Sequence, residues 1–367
     1  GLLGAVRGLV AGLDEDEHPE AFAAHRRLVA HVEAAADNGD PDPALRADGL
    51  VGLMGVPDAL EVDLGELASD ADAERDRLWE LLATECDRLR PGASPAELVP
   101  ELLRDHPTEA DELYAEAQRL VDEVDEFTFD RDLLDPFDGE CRVGPAPESR
   151  RYAMAMMSSN APFEADRPSW YWIVPPAPDL PPDEREQWLQ VFSRTTLPAI
   201  TVHEVTPGHF AHFMTVRELG SDARRCLASW AFVEGWAHHA EELFVEEGFR
   251  SDDPRFAIGV YIEALLRVTR LAGAIGVHTG SMTVDELAQR FGRDAFLEGP
   301  AARHEAERST YDPTYGRYTW GKLLIRRLRD EARARWGVDY SHRRFHRGLL
   351  SLGCPPLGLI GDALETV

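Results

Sequence analysis

The sequence predicts a mainly α-helical fold with a small β insertion. Apolar residues recur at helical spacing along most of the 367 residues, and helix-starting and helix-stopping residues bracket those stretches. Between 135 and 182 the texture changes to Pro, Gly, Ser and short β-like runs. The division that follows is an N-terminal helical region (1–134), a short β/loop insertion (135–182) and a second helical region (183–367). Together they form one compact domain.

Residues 2–37 put Leu9, Leu13, Phe22, Leu28, Val29 and Val32 on one helical pattern. Asn38-Gly-Asp-Pro-Asp-Pro ends it, because prolines lack the N–H that the ladder needs. Helical patterning returns near Ala44, is punctuated by Gly55-Val-Pro, and becomes long and amphipathic from Leu64 to Leu89, where Arg90-Pro-Gly stops it. Ser94-Pro-Ala-Glu has the N-cap, the proline and the capping-box Glu of a new helix. Another helix is expected near Thr108–Phe127. Within the insertion, Trp170-Tyr-Trp-Ile-Val has strand composition. Helices resume at Pro182 and break at Pro207-Gly208, Gly248 and Gly316.

Charge narrows the partners. Asp and Glu number 67 against 38 Lys and Arg, for a net charge of −29, and a single lysine, Lys322, is present. Such a field repels nucleic acid and anionic membranes, so neither is expected as a partner. No run of 18 apolar residues occurs. Many carboxylates with almost no lysine indicate adaptation to high salt, which screens self-repulsion. A GC-rich genome would also deplete lysine, but it accounts less directly for the acidic excess. Cys86, Cys141, Cys226 and Cys354 form no C-x-x-C pair, so free thiols in a reducing cytoplasm are expected. The N-terminus lacks the order of a secretory leader, consistent with that location, and opens on Gly1, which suggests a trimmed or longer protein.

The informative stretch is Thr201-Val-His-Glu-Val-Thr-Pro-Gly-His-Phe. In H-E-x-x-H zinc hydrolases both imidazoles share one helical face and the Glu activates water. His203 and His209 are six apart, which in a regular helix turns their rings about 120° away from each other. Pro207 resolves this: it cannot donate to the carbonyl of His203, so the helix fails there. Two residues looped out at Pro207-Gly208 would then bring His209 back to His203. Taken without the rest, the pair also reads as ordinary helix-end histidines. A second helix, Ala231-Phe-Val-Glu-Gly-Trp-Ala-His-His-Ala-Glu-Glu-Leu, offers Glu234 as a third ligand, although a solvated carboxylate is the plainer reading. Glu241 could hold a ligand ring from behind, and His238, His239 and His212 are rival ligands.

His-Glu-Val-Thr-Pro-Gly-His followed by Glu-Gly-Trp-Ala-x-x-x-Glu resembles the domain-of-unknown-function 885 family, which is similar to helical gluzincins such as thimet oligopeptidase and thermostable carboxypeptidases. His203, Glu204, Pro207, Gly208, His209, Glu234, Gly235, Trp236, Ala237 and Glu241 match its pattern. Phe210 stands where that pattern has a second His, and His239 where it has Tyr. Tyr318-Thr-Trp-Gly-Lys, Ser341-His-Arg-Arg-Phe-His and Gly353-Cys-Pro-Pro-Leu resemble its C-terminal part, and its members run longer at the N-terminus. The resemblance implies a gluzincin-like helical fold in which His203, His209 and Glu234 bind Zn²⁺, Glu204 is the general base and Tyr318 the oxyanion donor, with Tyr315 and Tyr311 competing. The implied function is a zinc metallopeptidase acting on short peptides. The alternatives are a zinc hydrolase of a non-peptide amide or specialised metabolite, and a non-catalytic helical binding protein. Trp170, Tyr171 and Trp172 are candidates for lining a substrate groove, and Arg308 and Arg317 for holding a substrate carboxylate.

Overall fold

The computed structural model describes residues 6–10, 12–39, 42–151, 153–177 and 180–364. Helix makes up 66% and strand 5%, which fixes the class as mainly α with a small β insertion. The first helical expectation needs correction. Within 2–37, residues 2–5 and 11 lie outside the described residues; of the rest, 6–7 are helical, and α1 (Pro19–Asn38) begins only at Pro19. Gly12 adopts φ +84, a conformation open to glycine, and turns precede Pro19, which takes the first helical position.

The following elements are α2 (Arg46–Asp58), α3 (Leu64–Leu89), α4 (Pro95–Leu103) and α5 (Ala110–Asp130). Asp63 caps α3 by accepting from the amides of Gly65 and Glu66, and α4 carries the Ser94/Glu97 capping box. Three short strands come next: β1 (Cys141–Pro145), β2 (Ala155–Ser158) and β3 (Ser169–Ile173), in sheet order β1-β3-β2. β3 pairs in parallel with β1 and antiparallel with β2, which places Met157 opposite Tyr171 and leaves β2 at an edge. Alternation puts Tyr171 in the core, while Trp170 and Trp172 stack on the other face, ring centres 4.4 Å apart.

The second helical region comprises α6 (Pro182–Gln190), α7 (Leu197–Glu204), α8 (His209–Arg217), α9 (Asp222–Cys226), α10 (Trp230–Glu246), α11 (Arg255–Thr279), α12 (Val284–Ala295), α13 (Gly299–Tyr311), α14 (Arg317–Trp336), α15 (His342–Leu350) and α16 (Ile360–Leu364). The apolar core joins both sides of the insertion. Leu78 and Leu82 of α3 share it with Tyr171 of β3, Val202 of α7, and Ile258 and Leu265 of α11. α10 crosses α14 backbone to backbone: a Cβ added at Gly321 would lie 1.9 Å from the carbonyl oxygen of Ala231, and one at Gly235 would lie 2.5 Å from Gly321. Under this crossing Lys322 is fully buried, donating to Glu74 at 2.6 Å and Glu242 at 2.5 Å. Arg77 bridges the same two carboxylates. Among the described residues no helix is long and apolar enough to cross a membrane, and the four cysteines are free.

Candidate metal centre

α7 ends at Glu204, the peptide Thr206–Pro207 is cis, and α8 starts at His209. The ladder therefore stops where Pro207 removes a donor, and the chain turns back on itself. Gly208 is needed here for space: a Cβ would sit 2.0 Å from the carbonyl oxygen of His203. The indole N–H of Trp236 donates to the carbonyl of Pro207 at 2.9 Å, tying the turn to α10. This fold-back brings the two imidazoles together, with ring centres 4.7 Å apart and planes at 86°.

Glu234 reaches them from the second turn of α10, whose N-cap Ser229 accepts from the amide of Phe232. Its Oε2 lies 3.5 Å from His203 Nε2 and 3.3 Å from His209 Nε2. Among the described residues these three form the group of metal-ligand atoms lying within 4.8 Å of one another. Neither short contact has hydrogen-bond geometry, and buried Oε2 has no hydrogen-bond partner. A tetrahedral ion bonded at about 2.0–2.1 Å separates its ligand atoms by about 3.3 Å. The spacing therefore fits a small cation better than a hydrogen bond.

Electrostatics agree. Behind His203, Nδ1–H donates to Glu241 Oε1 at 2.7 Å, which leaves Nε2 free to face Glu234. Burial and Arg267 oppose a charge on His203, yet Glu234 and Glu241 outweigh them and lift its pKa to about 9. Burial would raise the Glu234 carboxyl, but the two imidazoles hold it well below the usual range. The two carboxylates thus favour a cation between the imidazoles, which a proton or a metal ion can supply. Unlike His203, His209 has no partner for its buried Nδ1.

Glu204 is buried at the end of α7, and its Oε2 accepts from the amide of Met157 on the edge strand at 2.6 Å. Tyr318, at the start of α14, lies over His203 with ring centres 6.2 Å apart. Of the competing tyrosines, Tyr315 is fully buried and Tyr311 is 54% exposed. The rival ligands face away from the tripod. His212 pairs through Nε2 with the carbonyl of Gly353 at 2.9 Å, and burial lowers its pKa to about 4. Fully buried His238 lies 3.5 Å from Glu241 and is lowered to about 3, chiefly by burial. His239 packs against Trp236 and His346. Arg308 and Arg317, the candidates for a substrate carboxylate, both donate to Asp312.

Two contributors had little or no signal in the sequence. The Met157 amide has none, since a backbone donor is invisible in side-chain patterns. Arg267 had one: a cation four residues after Glu263 in a largely apolar helix.

The sequence profile of the family described as "Bacterial protein of unknown function (DUF885)" matches residues 20–364, and the chain belongs to that family. The fold is similar to that of "a putative lipoprotein of unknown function from Shewanella oneidensis", with 20% identity and a TM-score of 0.80 over 99% of this chain and 69% of that one. It is also similar to "the putative lipoprotein from Colwellia psychrerythraea", with 19% identity and a TM-score of 0.81 over 94% of this chain and 60% of that one. No curated protein matches the chain. At such identities the likeness concerns the fold, and function has to be argued from the site.

Proposed function

We propose that this member of the family is a zinc-dependent hydrolase of gluzincin type that cleaves peptide bonds of short peptides. The observation carrying the proposal is the convergence of His203, His209 and Glu234: Glu234 Oε2 lies 3.5 and 3.3 Å from the two Nε2 atoms, and one ligand atom from each residue lies within 4.8 Å of the others. Two imidazoles and a carboxylate, with a fourth position left open, are the donor set of catalytic zinc. Zinc held there supplies Lewis acidity and acidifies water.

The chain's own residues supply the rest. Glu204, fixed by the Met157 amide, takes the proton from the attacking water and passes it to the leaving amine. Tyr318 donates its phenol proton in a hydrogen bond to the oxyanion that develops on the scissile carbonyl. Its pKa is raised, by burial first and Glu234 second, so the phenol keeps its proton at neutral pH. His203, Glu204 and His209 are each 8% exposed or less, and this enclosure favours small substrates. The same enclosure suits a small non-peptide amide, the second reading.

The test combines metal analysis of the purified protein with digestion of a peptide library by wild type and Glu204→Gln. Zinc near one equivalent with Glu204-dependent cleavage supports a peptidase. Zinc without cleavage of any peptide turns the assignment to the non-peptide amide. Absence of zinc binding rejects both.

A further inference from the structure

Arg267 is the most deeply buried charged side chain of α11. It is 6% exposed and lies on a helix buried along most of its length, beside Ala264, Leu265, Val268 and Leu271. A guanidinium keeps its charge, so its burial must be offset by carboxylates and ring faces. It has three such partners. Nη1 donates to Glu241 Oε2 at 2.9 Å, Nη2 lies 3.4 Å from Glu263 Oε2, and the guanidinium carbon is 5.8 Å from the ring centre of Tyr318.

Two of these contacts lead to the candidate metal centre by separate routes. The other oxygen of Glu241 accepts the Nδ1 proton of His203 at 2.7 Å, and the ring of Tyr318 lies 6.2 Å from that of His203. Glu241 is fully buried, so a carboxylate without Arg267 would turn toward other donors or take up a proton. His203 would then lose the acceptor that fixes its tautomer and ring plane. The planar fork matters as much as the charge, because one group meets two carboxylates and a ring face at once.

We infer that Arg267 is a positioning residue: through Glu241 it aims His203 at the metal, and it shares the seating of the Tyr318 ring with Arg270 and Arg317, whose guanidinium carbons lie 5.5 and 5.8 Å from the same ring centre. The inference rests on the metal-centre reading above and assigns a role to a residue outside the ligand set. A merely structural role, offsetting charge in the core, would leave zinc affinity untouched in any variant that folds.

The experiment measures zinc affinity, by competition with a chromogenic chelator, for wild type, Arg267→Gln, Arg267→Lys, Glu241→Gln and the double variant Arg267→Gln/Glu241→Gln. Circular dichroism of each metal-free protein establishes folding. Loss of such an outer partner typically costs about 10–100-fold in metal affinity, and Arg267→Gln is expected in that range. Arg267→Lys, which keeps the charge without the fork, is expected about tenfold weaker than wild type and with lower kcat at nearly constant KM. If Arg267 acts through Glu241, the double variant is no weaker than the weaker single. Wild-type affinity in folded Arg267→Gln overturns the inference, as do losses that multiply in the double variant. Should Arg267→Gln fail to fold, wild-type affinity in Arg267→Lys overturns it equally. A wild type that binds no zinc removes the metal-centre reading first, and this inference with it.

Discussion

At Glu204 the choice of substitution decides what an experiment reports. Gln keeps a carbonyl oxygen for the Met157 amide, whereas Ala releases the edge strand as well as the base. Glu204→Gln is therefore expected to retain zinc and lose about 10²–10⁴-fold in kcat. An unchanged kcat in zinc-loaded Glu204→Gln would end the general-base assignment. Gly208 has the opposite character, because its side is already filled by the His203 carbonyl. Gly208→Ala is expected to destabilise by about 1–3 kcal/mol or more and to lower zinc content, since the turn that returns His209 must open. Urea titration and metal analysis of the same sample check both effects.

At the scale of elements, the glycine contact between α10 and α14 sets where Glu234 and Tyr318 stand relative to each other. Beneath it, Lys322 joins these helices to α3 through Glu74 and Glu242. Removing one member of a buried ionic group leaves its partners uncompensated, so Lys322→Met is expected to cost about 3–5 kcal/mol in a urea titration. A loss under 1 kcal/mol would show that Arg77 suffices together with Arg326, whose Nη1 lies 3.7 Å from Glu74 and 3.6 Å from Glu242. The legibility of these elements in sequence followed their chemistry. The ends of α3, the Ser94/Glu97 cap and the break at Pro207 were readable because each depends on local residues. The start of α1 at Pro19 was missed because apolar spacing ran on through turn residues. The residues that meet at the candidate centre were named from the two motifs, but the spacing left His212 and His238 as rivals. Only tertiary contacts, the Gly353 carbonyl on one and Glu241 beside the other, turn these two away. Arg267 and the Met157 amide come from distant segments, which no local pattern links to His203 or Glu204.

For the whole molecule, pH and salt act through charge. His212, His238 and His346 are buried and have pKa values lowered to about 4, 3 and 3, with burial the largest cause in each. In the unfolded chain each would titrate near 6.5. Above that pH neither state binds these protons and the stability is fully present; as pH falls below it, the unfolded chain takes up protons that the folded one refuses. Stability should drop by about 1.4 kcal/mol per pH unit for each histidine, or about 4 for the three, until pH approaches 4. Urea midpoints between pH 8 and 4.5 measure this, and His346→Gln should flatten the slope by about one proton. The net charge of −29 gives a second expectation: the melting temperature should rise between 0.05 and 1 M NaCl as repulsion is screened. A flat or falling curve would remove the inference of salt adaptation. The position of Lys322 has a practical consequence. Because the sole ε-amine of the chain is enclosed by α3, α10 and α14, amine-reactive reagents can modify it only when those helices part. The rate of tagging at that one side chain, followed by mass spectrometry, is then a single-site clock for opening of the scaffold, and slowing of the clock by added zinc would give the coupling between metal capture and global unfolding.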